Sequence, residues 1–320
     1  MKKTNLSHIL KIDFPVIQGG MLWLASAELA SSVSNAGGLG VISPLANMES
    51  QDDPFNNLTK QIFQTKQLTK NPFGVNLPID LPYVDGLIDI VIREKIGIVI
   101  TAAGSPDRYS QALKSRGILQ LHVVSNVQQA KKAESSGVDG IIAEGFEAAA
   151  HVGPDELPLF SLLPQVVDSV SVPVVAAGGI VDARGVVAAM ALGAEGVQLG
   201  TRFVAVEENI AHINYKKAII AADDTDTVIT GRNLVPTRSL KTPFSNCLIE
   251  LEKSEIAVED LQRFIGFRSN RRSQIEGHLA NGEAYCGASA GLIKQIVPAA
   301  KVVEDLVKGY KQVLETLCCG

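Results

Sequence analysis

Eight short apolar runs recur along the chain at intervals that a helix can fill, and this spacing constrains the fold more than any other feature. They are PVIQGG (15–20), LGVIS (39–43), FGVNL (73–77), IGIVIT (96–101), LQLHVV (119–124), GIIAEG (140–145), VPVVAAGG (172–179) and GVQLGTRF (196–203). Most are continuous rather than alternating, the pattern of parallel strands covered on one side by helices and on the other by a packed interior. Between them lie amphipathic segments such as SAELASSVSNAGG, NVQQAKKAESSGV and DARGVVAAMALGA, several ending in glycine, where a helix C-cap wants a left-handed residue. Eight strand–helix units predict an α/β fold, a (β/α)8 TIM barrel. An open doubly wound sheet is the other arrangement such units can take, and their number and regularity favour closure.

After Phe203 the rhythm breaks. Residues 1–222 are expected to form the barrel, and residues 223–285 a small, mainly helical lobe inserted after strand eight over the active-site end. Residues 286–320 complete the barrel with a helical pattern interrupted by Pro298. A net charge of −5 gives no general attraction to nucleic acid or to an anionic membrane, so an anionic ligand must be held locally. No apolar stretch is long enough to span a bilayer, and the N-terminus lacks the apolar core of a signal peptide, which predicts a cytoplasmic protein. Cys247, Cys286, Cys318 and Cys319 form no CxxC pair and have no histidine at zinc-site spacing, so they read as reduced thiols, and no metal is expected.

Barrel enzymes place their sites where strands end. The seventh run ends in AAGG and the eighth carries Gly200 and Thr201 near its end. At these two strand ends backbone N–H groups can hold a phosphate dianion without lysine or arginine, and glycine lets the main chain come close.

These residues belong to a wider set of motifs. PVIQGGMLWLASAELASSVSNAGGLGVI, NPFGVNLP, AEGFEAAAHVG, VPVVAAGGIVDARGVVAAMALGAEGVQLGTRF and CGASAGLI together resemble the nitronate monooxygenase (2-nitropropane dioxygenase) family, close kin of the flavin-dependent enoyl-acyl-carrier-protein reductases. The resemblance covers nearly the whole chain and implies a barrel that binds FMN non-covalently. It places Gly178, Gly179, Gly200 and Thr201 at the FMN phosphate and Gly20, Met21 and Asn76 along the isoalloxazine ring, where Gln18 also comes near. Glu144 falls near the ribityl chain, His151 over the flavin beside substrate, and Ser289 on the substrate. An imidazole suits proton transfer at neutral pH. His122 is left between facing the flavin and filling the barrel interior, while His8, His212 and His278 read as surface or packing residues. Two departures stand out: this chain has EAAAH (147–151) where the family often has EAGGH, and Ala288 where many relatives carry glutamine. The cluster Arg268, Arg271 and Arg272 reads as a solvated helix face in the lobe, in preference to a site for an acidic carrier protein or a nucleotide phosphate.

The function so implied is FMN-dependent oxidation of nitronates or nitroalkanes to a carbonyl compound and nitrite with dioxygen, with His151 as base. Two alternatives stand beside it: an NAD(P)H-dependent enoyl-acyl-carrier-protein reductase or quinone reductase, and a non-catalytic barrel that binds a phosphorylated ligand. The expected partners are a small-molecule substrate and, among macromolecules, a second copy of the chain as a homodimer.

Overall fold

The computed structural model describes residues 1–49, 53–254, 256–266 and 268–318, so Cys319 lies outside the described residues. All eight apolar runs form parallel strands: β1 (Val16–Gln18), β2 (Gly40–Ile42), β3 (Phe73–Pro78), β4 (Ile98–Ala102), β5 (Leu119–Val124), β6 (Gly140–Glu144), β8 (Val174–Ala177) and β9 (Gly196–Leu199). A two-residue strand, β7 (Ala150–His151), intervenes, so the seventh and eighth barrel strands are β8 and β9. The sheet runs β1-β9-β8-β6-β5-β4-β3-β2. It closes where Leu39 N–H donates to Val16 O at 2.8 Å and Gln18 N–H to Leu39 O at 2.9 Å. The fold is a (β/α)8 barrel.

Side-chain alternation sorts the strand residues into two layers. Ile17, Val41, Ile100, Leu121, Ile142 and Val175 fill the interior, and the N-terminal helix Asn5–Leu10 plugs its lower mouth with Leu6 and Leu10. Val16, Ile141, Val174 and Val197 face outward under the helices. Several helices start on a capping side chain. Ser26, Asn126 and Asp182 cap their helices with side-chain oxygens, and Gly37, Gly137 and Gly193 follow the helix ends at φ +91°, +90° and +98°.

The position of the eighth helix is taken by Ala299–Cys318, which packs between helices Ala183–Ala191 and Ala27–Asn35. Pro298 does not interrupt this helix but stands immediately before it, where its lack of an N–H costs nothing. The preceding stretch SAGLIKQIV makes one short 3-10 turn, Ala290–Leu292, and then continues without regular structure to an isolated bridge between Val297 and Val206.

The lobe is mainly helical, with helices Pro243–Lys253, Val258–Ile265 and Ser269–Gln274, but it also carries strands that its reading as loops and helices missed. Strand β10 (Thr227–Thr230) pairs antiparallel with β11 (Thr237–Leu240), and β11 pairs with β7, a piece of the loop after barrel strand β6. Arg238 reinforces the joint, donating from Nε to Phe146 O at 3.1 Å and lying 5.0 Å from the Phe146 ring centroid.

The arginine cluster is not a solvated face. Arg268 lies over the Trp23 ring at 5.3 Å, Arg272 donates to Ile265 O at 3.0 Å and Arg271 pairs with Glu276. All three are half-buried, because the short helix Ser269–Gln274 packs down on the barrel rather than outward.

Gly40 shows how tightly helix and strand meet: a Cβ there would lie 1.8 Å from Ala30 O. Main chain cannot yield as a flexible side chain can, so Gly40→Ala should cost about 3 kcal/mol, read as a lowered urea midpoint against wild type.

Candidate active site

The C-terminal ends of the strands open into a cleft with about 910 Å3 of empty space, open solvent included. Its wall brings together Gly20, Met21, Glu144, Gly178, Gly179, Gly200, Thr201 and Ser289, eight of the ten residues singled out from sequence. Gln274 and Tyr285 of the lobe side complete it. Among the lining residues there is no lysine or arginine, so an anion here meets main-chain N–H groups and hydroxyls.

The glycines differ in what demands them. Gly178 sits at φ +97° with its would-be Cβ 2.9 Å from Gly145 O, and Gly179 at φ +70° with its own 3.0 Å from the Glu147 Cβ. Both are required by the protein's own packing. Around Gly200 the would-be Cβ meets nothing within 4 Å. There the main chain is left open without a steric reason inside the protein.

Gly20 is explained by Asn76, whose side chain would lie 2.3 Å from a Cβ at Gly20. Asn76 itself is buried beside Gly20 and donates to Ile100 O at 3.3 Å. Gln18 is buried, accepting from Val41 N–H at 3.0 Å.

Three remote loops are tied into one wall. Gly287 N–H donates to Thr201 Oγ1 at 3.0 Å, and Ala288 N–H to Glu147 O at 2.9 Å. The Glu147 carboxylate accepts from Leu159 N–H at 2.8 Å, where a helix begins and a negative charge is favoured. These bonds set Ser289 so that its Oγ is 3.5 Å from the Cβ position of Gly179. Ser289 thus stands beside the glycine loops.

Glu144 ends β6 on the interior face, and burial pushes its carboxyl up to about 7. Below that pH it is largely protonated and does not repel an anion. Gln198, on the same interior face of β9, keeps its Oε1 buried without a hydrogen-bond partner. Sequence reading passed over it, although it is the one polar residue within the β9 run GVQL.

His151 takes a different place. It is exposed on β7 and lines an adjoining pocket with Thr237, Gln262 and Glu283, its ring centroid 6.1 Å from that of Tyr285. Tyr285 lies between the two spaces: it lines the cleft, and its hydroxyl donates to Glu283 Oε2 at 3.2 Å. The alternation that turns Leu121 inward turns His122 outward, so His122 neither fills the interior nor lines the cleft. It bridges Thr101 Oγ1 (2.8 Å) and Gly104 O (3.2 Å), and burial brings its pKa down to about 4.

Among the described residues no group of three His, Cys, Asp or Glu is placed to hold a metal ion, and no helix is long and apolar enough to cross a membrane. Cys247 and Cys318 are exposed and Cys286 is buried, all as free thiols.

With this geometry in place, comparison with known proteins assigns the family. The model of the family described as nitronate monooxygenase matches residues 3–87 and 82–309. The chain belongs to the nitronate monooxygenase family. It is therefore an oxidoreductase. It is 32% identical to a probable nitronate monooxygenase of Staphylococcus saprophyticus, over 97% of this chain and 98% of the relative. It is 36% identical to (3aS,4S,5R,7aS)-5-hydroxy-7a-methyl-1-oxo-octahydro-1H-indene-4-carboxyl-CoA dehydrogenase of Rhodococcus jostii, over 77% of this chain and 68% of the relative. Among solved structures, FabK from Thermotoga maritima superimposes with a TM-score of 0.92 at 40% identity, covering 99% of each chain.

Where nitronate monooxygenases often have EAGGH, Ala150 of this chain adopts φ +64°. An L-residue pays about 1–2 kcal/mol for that conformation, whereas glycine pays about 0.5–1 kcal/mol more backbone entropy on folding. The first effect is the larger. Ala150→Gly should therefore stabilise the protein by about 0.5–1 kcal/mol, seen as a higher Tm in calorimetry.

Proposed function

We propose that the chain is an FMN-dependent oxidoreductase that oxidises nitronates with dioxygen to a carbonyl compound and nitrite. The observation that carries the cofactor assignment is the open main chain at Gly200, beside Thr201, Ser289 and the Gly178–Gly179 loop, in a cleft lined without a cation. The unpartnered Oε1 of Gln198 on the same cleft wall fits a ligand that brings its own hydrogen-bond donors. Bound there, FMN would supply the electron transfer and the reaction with dioxygen.

The residues of the chain divide the remaining tasks. Gly178, Gly179, Gly200 and Thr201 hold the phosphate through main-chain N–H groups and the threonine hydroxyl. Ser289, set against Gly179, joins them rather than reading the substrate. Gly20 and Met21 line the ring, with Asn76 behind them, and Glu144 lies toward the ribityl chain. The lobe residues Gln274 and Tyr285 cover the cleft and limit water. This division makes residues 1–222 with the C-terminal segment the cofactor-binding barrel, and residues 223–285 the covering lobe.

Because His151 faces the adjoining pocket, the substrate is a preformed nitronate anion, which needs no base, in preference to a neutral nitroalkane. A second reading has NAD(P)H as reductant and an enoyl thioester as acceptor. It is favoured by the likeness to the octahydro-indene-carboxyl-CoA dehydrogenase, whose name specifies a thioester.

The purified protein should be yellow and release FMN on heating; a colourless protein that takes up no added flavin rejects the proposal. Turnover of nitronate with dioxygen, little changed in His151→Ala and without flavin bleaching by NADH or NADPH under anaerobic conditions, supports the first reading. Rapid bleaching supports the second. Gly200→Val should purify with at least about tenfold less flavin, and its flavin-free Tm should equal that of flavin-free wild type, since its side chain enters open space.

A further inference from the structure

We infer that a second cavity, on the barrel wall outside the cleft, binds a small oxyanion, a phosphate or carboxylate group, on Arg202. The cavity, about 690 Å3 of empty space with open solvent included, lies between the loop after β8 (Val181, Asp182), the short helix that carries Arg202, the segment around Gln295 and the C-terminal helix at Asp305. Its residues are distinct from those of the cleft apart from Val181, which touches both.

Arg202 is 9% exposed, yet its charge is not met by an acid. Nη1 donates to Ala205 O at 3.2 Å and Gln295 O at 3.4 Å, both neutral. Among the described residues no carboxylate stands within ion-pair distance of it. Every other charged group lining the cavity already has a partner. Asp182 accepts from Arg184 Nε at 2.9 Å, Asp305 is paired with Lys301, and Lys294 donates to Ala222 O at 3.0 Å and lies 3.6 Å from Asp223. The charge left over in this space is the guanidinium of Arg202.

A buried cation satisfied by carbonyls alone is costly, and burial accordingly lowers the Arg202 pKa while Asp305, at longer range, raises it. The Nε and Nη2 donors make no hydrogen bond to the described protein and are not sealed from solvent. Together they form the fork that takes an oxyanion with two parallel bonds. The acids of the cavity do not oppose this, because each is neutralised by its own cation. This inference stands independently of the proposed function.

The test uses inorganic phosphate, and acetate as a second probe, titrated calorimetrically into the protein in chloride buffer of matched ionic strength. One site per chain is expected for at least one of the two anions, with affinity reduced about tenfold or more in Arg202→Met. Leu292→Asp places a negative charge on the cavity's exposed rim, where Leu292 is 52% exposed, and should weaken binding similarly without touching the guanidinium. That variant decides the matter if Arg202→Met fails to fold. Saturating FMN should leave the heat unchanged. Silence with both anions, wild-type affinity in Leu292→Asp or in folded Arg202→Met, or abolition of the heat by FMN overturns the inference, the last by placing the anion in the cleft.

Discussion

The pairing of Leu39 with Val16 and Gln18 closes the sheet, and the remainder of the structure depends on that closure. Without it β1 and β2 would be edges, and the apolar interior of Ile17, Val41, Ile100, Leu121, Ile142 and Val175 would open to water. Closure also brings the end of β1 against β3, where Gly20 meets Asn76, while the pairing of β1 with β9 sets Gly19 and Gly20 across one cleft from the ends of β8 and β9. The same pairing therefore holds the core together and assembles the site.

The site is held by main chain more than by side chains. Gly178 packs against Gly145, Thr201 receives the N–H of Gly287, and Glu147 receives that of Ala288. Three loops from distant parts of the sequence thus share one set of hydrogen bonds. A wall built in this way is preorganised, and a ligand bound there pays little to order it. The lobe is joined to this wall through β7 and Arg238, so its position is set by the loop that follows β6.

Much of the barrel was legible because its signals are local and repeated. Each strand run is apolar and short, and helices such as Ala27–Asn35 and Ala183–Ala191 carry a cap residue before them and a glycine after them. The lobe strands were not legible in the same way: TVIT and TRSL are short and partly polar, and they become strands by pairing with each other and with Ala150–His151. Gln198 carried a signal that was passed over, a lone amide in an apolar run. Tyr285 carried none, since its place in the wall comes from contacts with His151 and Glu283 that are remote or irregular in sequence.

By itself the sequence determined the barrel, its eight strands and the strand-end glycines, because short apolar runs, capping and glycine spacing act within a few residues of chain. The tertiary structure decided which face each polar residue took. Parity within a strand turned Glu144 and Gln198 inward and His122 outward, the pairing of β7 with β11 carried His151 to the far side of Tyr285, and packing left Arg202 buried without an acid. These outcomes depend on which elements come to lie beside one another, and that is settled by how closure and close packing share out the available space.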